Sequence, residues 1–366
     1  MLVSLTLYIN EEDNREENDV VNEILQDAAE QNEERYEEEI VATPIFSGRK
    51  VIYCDLQKEE LTPEKILNKL PDILAIHQQN VIDIDYLDNY YKGIQPILNR
   101  IKHVRKDINN KIVVNHAYEI VEFKKSYVFG DPVQYVQKGE KNSDTTNPAI
   151  SLLNKYMESE DKSSKDKELA EWWYKIGTAY RWCEIDEKEE EDEAPFEISI
   201  PDPRKTFVVY STGITKKPLF GGYIQNHSSI VQTQDTEYLA QWQDITIYTD
   251  EQVMVFTNEK GGSFELKKLF DKNGKMKPNP YNLIIKGQRI IEYPLNESRL
   301  GLIELVITQL NALNNIPSNE IDDIEQFVQS LLVYINQQID EETHKKLIKL
   351  GAVQVATQDP RKTCRC

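Results

Sequence analysis

The residues that could do chemistry in this 366-residue chain are five histidines, four cysteines and a surplus of carboxylates. Metal binding or hydrolysis needs such groups at converging spacings. His77, His103, His116, His227 and His344 are scattered, and neither HExxH nor GxSxG occurs. Cys54, Cys183, Cys364 and Cys366 make no CxxC pair and no Cys/His quartet at zinc spacing, so free thiols are expected. Gly261-Gly262-Ser263 is not followed by the Lys-Ser/Thr pair that reaches phosphate and Mg²⁺, which excludes a P-loop motor. Asp322 and Asp323 are adjacent, and adjacent helical side chains point apart, a poor basis for paired acid/base work. No catalytic residue, cofactor or metal ligand is predicted.

Charge is the remaining chemical signal. The net charge is −20, but fourteen acids against two arginines lie within residues 11–39, and eight acids against one lysine within 184–193. The rest of the chain is nearly neutral. Both segments read as solvated faces or loops. The alternative they leave open is a metal-dependent hydrolase drawing its carboxylates from them. The basic run 100–111 is short for nucleic-acid capture, because affinity grows with each phosphate neutralised. No apolar run approaches the ~20 residues that span a bilayer, and the N-terminus lacks the basic region of a secretion signal.

The positioning elements follow from periodicity. Val20, Val21, Ile24, Leu25 and Ala28 stripe an acidic helix, and two strand-like runs lead to Thr62-Pro63, a helix start. Ile66, Leu67, Leu70, Ile73 and Leu74 carry that helix's face despite Pro71. Leu87, Tyr90, Tyr91 and Ile94 make another helical face, punctured by Gly93 and Pro96. Asn109-Asn110 provides a turn, and Asn115 caps a helix faced by Ile120, Val121, Lys124 and Val128. Gly130 is expected left-handed at its end, before Pro132. Residues 167–184 read as an aromatic helix with Trp172, Trp173, Ile176 and Tyr180. Residues 196–293 break into short β-branched runs, two of them joined as a hairpin by Thr249-Asp250-Glu251. The fold class is α+β, an antiparallel sheet packed on helices. Beyond Asn296, Leu302, Val306, Ile307, Leu310 and Leu313 recur at helical spacing to Pro317, and Ile321, Ile324, Phe327, Val328, Leu331 and Leu332 resume it. A break or kink is expected at Pro317, recapped by Ser318 or Asn319.

Several of these pieces stand in an order that resembles the SPP1-like phage portal proteins, rings at the capsid vertex through which tailed phages package DNA. The motifs are Tyr90-Tyr91-Lys92-Gly93, Ile97-Leu98, Asn109-Asn110-Lys111 and Phe129-Gly130-Asp131-Pro132. Gly177-Thr178-Ala179-Tyr180, an acidic loop, Pro203 and Phe207-Val208-Val209-Tyr210 continue it. The resemblance covers about residues 60–355. It implies an acidic N-terminal part (1–60), a wing-like α+β body (61–295), a long stem-like helix (296–335) and a partial clip with a polar tail (336–366). Family members continue into a second stem helix, tunnel loop and crown, so a truncated prophage copy is expected.

The same resemblance implies a structural subunit without catalysis. It would form a cyclic homo-oligomer, a dodecamer in the family, that conducts double-stranded DNA without sequence specificity. Terminase, scaffolding, major capsid and head-completion proteins would be its partners, the virion vertex its place, and no membrane is involved. Leu302, Val306, Ile307, Leu310, Leu313, Ile321, Ile324 and Val328 are expected between sister stems. Glu304, Glu320 and Asp323 are expected toward a channel kept free of strong cationic contacts. A non-assembling monomeric remnant is the further alternative.

Overall fold

In the computed structural model, which describes residues 47–102, 106–136, 148–185, 194–232, 237–259, 261–271, 273–328, 332–335 and 352–355, the run from Thr62 forms one helix, α1 (Pro63–Tyr91). Thr62 is its N-cap and Pro63 opens it, where a missing N–H costs nothing. The two faces read separately before and after residue 80 therefore belong to one rod, roughly 43 Å long. Pro71 sits on its exposed side, where the carbonyl it leaves unbonded can reach water.

The first part of α1 packs Ile66, Leu70 and Ile73 on a sheet through Phe207, Val209, Phe220, Ile245, Ile247, Met254 and Phe256. That seven-stranded sheet runs β1 (Ile52–Cys54), β4 (Thr206–Ser211), β5 (Pro218–Gln232), β6 (Glu237–Thr249), β7 (Gln252–Thr257) and β11 (Tyr281–Asn282), with β8 (Glu265–Leu266) also on β7. Every pairing is antiparallel except β1 with β4. The hairpin expected at 249–251 joins β6 to β7, and the Thr249 hydroxyl accepts from the Gln252 amide. A three-stranded sheet orders β12 (Ile290–Pro294), β2 (Thr178–Ile185) and β3 (Phe196–Ser199). β9 (Leu269–Phe270) and β10 (Met276–Lys277) form a separate hairpin. β13 (Leu332–Ile335) and β14 (Ala352–Val355) pair in parallel. The class is α+β, with five α-helices among the described residues.

The second part of α1 builds a helical core. Leu87, Tyr90 and Tyr91 meet Ala117 and Val121 of α2 (His116–Phe129), and Ala170, Tyr174 and Ile176 of α4 (Lys162–Ile176). Ile303, Ile307 and Leu310 of α5 (Leu302–Val328) complete it; α3 spans Pro148–Ser159. The chain divides into two units. One holds Ile45–Ile94 and Asn115–Leu310, and the other holds Gln95–Val114 with the chain from Asn311 on.

Four expectations about helix limits are corrected. Gly177, at φ +78°, ends α4, and Tyr180 belongs to β2 rather than to an aromatic helix. An added Cβ at Gly177 would lie 2.2 Å from the Arg299 carbonyl, so both backbone sign and space demand glycine there. Gly130 is right-handed, with φ −61°, so Pro132 rather than a left-handed glycine bars continuation. α2 buries Ala117 and Val121 and leaves Lys124 and Val128 outside. Helix α5 runs through Pro317 without a break and is assigned to Val328, while Leu332 lies on β13. The acidic helix expected near residues 20–28 lies outside the described residues.

Candidate functional site: helix α5 and the segment it carries

α5 changes character along its length. At its start, Glu304 reaches back to accept from the Gly301 amide at 2.6 Å, the reciprocal half of a capping box. Its carboxylate also pairs with Arg49, and both side chains are almost fully buried. Burial pushes the Glu304 carboxyl above its ordinary value, with Arg49 pulling it partly back. Glu304, expected toward a channel, is enclosed within its own chain, where it caps and seats the helix. Ile307 and Leu310 are buried within their own chain and Val306 is packed beside them. Of the residues expected between sister stems, Ile307 and Leu310 lie in the chain's own core, and Val306 and Leu302, both partly buried, pack against it.

From residue 311 the pattern inverts. Asn314, Ser318 and Asp322, at i, i+4 and i+8 on one face, are buried at 1%, 0% and 3% exposure. Leu313, Ile316, Ile321 and Ile324 are exposed, with Ile316 at 61% and Ile324 at 55%. A polar stripe is inside and an apolar one outside, the reverse of an ordinary surface helix. Glu320 is exposed and stands four residues from both Ile316 and Ile324, within the apolar face; Asp323 is exposed at its margin. Val328 ends the helix, and its side chain lies outside the described residues.

The buried stripe holds the segment Gln95–Val114 by a ladder of polar contacts. The Val114 amide donates to Asn314 Oδ1 at 2.8 Å, the Ile112 amide to Ser318 Oγ at 3.0 Å, and the Asn110 amide to Asp322 Oδ1 at 2.7 Å. Four helical residues advance about 6 Å and two extended residues about 6.6 Å, so alternate amides match every fourth helical side chain. The two chains run in opposite directions, and the rungs keep step.

Asp322 is the most heavily used rung. It also accepts from Asn110 Nδ2 at 2.9 Å and pairs with Arg100 at 3.3 Å and with Lys102. Burial raises its carboxyl, but Lys102 and the two Asn110 donors outweigh that, and it sits below its ordinary value. Ser318 donates to the Asn314 carbonyl at 2.8 Å and accepts from Ile112, so it serves the ladder instead of recapping a broken helix at Pro317. Asn109 donates to the Arg100 carbonyl and Lys111 to the Leu98 carbonyl, closing the basic segment on itself.

The arrangement can hold and present; among the described residues it assembles no reactive centre. Arg100 and Lys102 are committed to a carboxylate. His116 lies against Glu119 at 2.7 Å on the surface, and His103 is outside the described residues. Among the described residues no three His, Cys, Asp or Glu side chains converge as metal ligands would, and Cys54 and Cys183 are free thiols. No described helix is long and apolar enough to cross a membrane. Sequence periodicity marked the apolar face of α5 and missed the ladder; its signal is the polar spacing Asn314, Ser318, Asp322.

Comparison with known proteins bears on what such a helix presents itself to. A family model described as phage portal protein, SPP1 Gp6-like, matches residues 70–363, against the 60–355 read from the motifs. No curated protein sequence matches the chain.

Proposed function

We propose a function from one premise: the chain belongs to the SPP1-like phage portal family. Our reading is that it is a subunit of a cyclic portal ring, a structural conduit for double-stranded DNA at the capsid vertex, with no catalytic step of its own. Residues 61–295 act as the wing and residues 296–328 as the first stem helix; the segment after 336 would begin the clip, and residues 1–60 form an N-terminal addition. A dodecamer is the stoichiometry the reading favours. Terminase, scaffolding, major capsid and head-completion proteins are the partners it requires.

The observation that carries this reading is the outward apolar face of α5. Leu313, Ile316, Ile321 and Ile324 are left in water while asparagine, serine and aspartate take the interior. Covering such large aliphatic side chains is favourable by about 1.5–3 kcal/mol each, and a neighbouring copy in a closed ring covers the same face on every subunit. Asp323 then stands at the edge of that contact, a carboxylate toward the bore in place of a cation that would grip the DNA backbone, while Glu320 lies within the contact.

The test is assembly. Wild-type chain should sediment as a closed ring, while Ile316→Ser/Ile324→Ser should stay monomeric with a melting temperature close to wild type, because exposed positions contribute little to monomer stability. A wild-type chain that remains monomeric, or a variant that assembles equally well, refutes the reading.

A further inference from the structure

The two larger sheets enclose a cleft of about 290 Å³ lined by Trp182, Pro201, Tyr223, Tyr248 and Ile290. Trp182 stands between Ile290 and Ser199 across β12, β2 and β3, and Tyr223 and Tyr248 come from β5 and β6. The three aromatic rings are partly exposed, so the cleft offers apolar surface to an outside side chain. Its rim is acidic. Glu184 and Glu197 oppose each other across β2 and β3, two residues along from Trp182 and Ser199 and hence on the same face.

The β9–β10 hairpin has the opposite character. Phe270 and Met276 face each other across its strands, and both are about three-fifths exposed. Residues 267–277 contain five lysines against Asp271 alone. Lys267 is paired with Asp244, while Lys268, Lys275 and Lys277 are exposed. An exposed Phe–Met pair flanked by lysines fits an aromatic cleft with Glu184 and Glu197 at its rim, in polarity and, through Glu197 above all, in charge. The cleft's volume suits one or two side chains, which is what the hairpin presents, and thioether sulfur packs well on aromatic rings.

We propose that the β9–β10 hairpin of one copy inserts Phe270 and Met276 into the Trp182–Tyr223–Tyr248 cleft of the next copy, with its lysines toward Glu184 and Glu197. This inference rests on the ring reading: a ring closes through two different patches on each subunit, and these are two such patches.

The test uses full-length chain carrying a photo-crosslinking phenylalanine at position 270, in an equal mixture of ¹⁵N-labelled and unlabelled protein. Irradiated rings should yield mixed-label crosslinks to peptides of β2, β3, β5 or β6. Lys268→Glu/Lys277→Glu should weaken assembly by about tenfold or more, since like charges then face each other, and Glu197→Lys in the same chain should restore it in part, Glu184 being left in place because it pairs with Arg289. Rings that form normally but crosslink elsewhere, or only within one copy, refute this docking and leave the ring reading intact. Chain that never assembles refutes both.

Discussion

Removing the Asp322 carboxylate is the sharpest perturbation the structure offers. Asp322 accepts from the Asn110 backbone and side chain and pairs with Arg100 and Lys102, whose side chains are 10% and 19% exposed. Each hydrogen bond to a charged group contributes about 1.5–3 kcal/mol, and breaking a buried pair from one side costs about 3–5 kcal/mol. Asp322→Ala should therefore loosen the Gln95–Val114 segment by about 3–5 kcal/mol, with Asp322→Asn intermediate because its amide oxygen still accepts from Asn110. Hydrogen exchange reads the effect amide by amide. The Asn110, Ile112 and Val114 amides donate to three successive rungs, and each 1.4 kcal/mol is tenfold, so exchange at Asn110 should accelerate by about two to three and a half orders of magnitude.

The same carboxylate sets a pH dependence. Its folded value lies below the ordinary one, so the clamp is fully present above about pH 4 and is lost as pH falls through the lower folded value. Asp322→Asn should flatten that acid limb. If exchange at all three amides in Asp322→Ala stays within about threefold of wild type, the ladder does not hold the segment and the reasoning fails.

Two further perturbations test the larger unit. Glu304→Ala leaves buried Arg49 with the more distant Asp83 carboxylate, at 3.7 Å, and should cost up to about 3–5 kcal/mol in denaturant melts, whereas Arg49→Met/Glu304→Leu should come within about 1.5 kcal/mol of wild type. Gly177→Ala should destabilise by about 2 kcal/mol or more, because a left-handed alanine costs roughly 1–2 kcal/mol before its methyl meets the Arg299 carbonyl; a loss below about 0.5 kcal/mol would show the turn to be pliable.

Local signals proved legible where one residue's chemistry decides a boundary. Asn115 accepts from the Tyr118 amide as an N-cap should, Pro63 opens α1, and Thr249 closes the β6–β7 hairpin. They misled where two tendencies compete. Trp172, Trp173, Ile176 and Tyr180 fit a helical stripe, but the Gly177 turn carries the chain into β2, where Tyr180 is buried beside Val208 and Ile290. Pro317 lacks only one donor, and a helix held on both sides of it by ladder contacts from Asn314 and Ser318 continues regardless. The parallel pairing of β1 with β4 joins segments more than a hundred and fifty residues apart, and no periodicity encodes such a partner.

The interface residues show the same limit at the level of function. A stripe such as Leu302, Val306, Ile307, Leu310, Leu313, Ile321 and Ile324 states that one face avoids water, and periodicity alone does not say whether its own core or another copy covers it. The neighbours decide. In the first part of α5, aromatic and aliphatic side chains from α1, α2 and α4 are at hand, and the stripe is buried internally. From residue 311, the neighbouring stretch Asn110–Val114 lies outside the sheets and helices, its amides need acceptors, and leaving them unmet would cost about 1–3 kcal/mol each. Asn314, Ser318 and Asp322 turn inward because they supply those acceptors. That choice forces Leu313, Ile316 and Ile324 outward, so the polar ladder is the physical reason this helix has an apolar face left to offer.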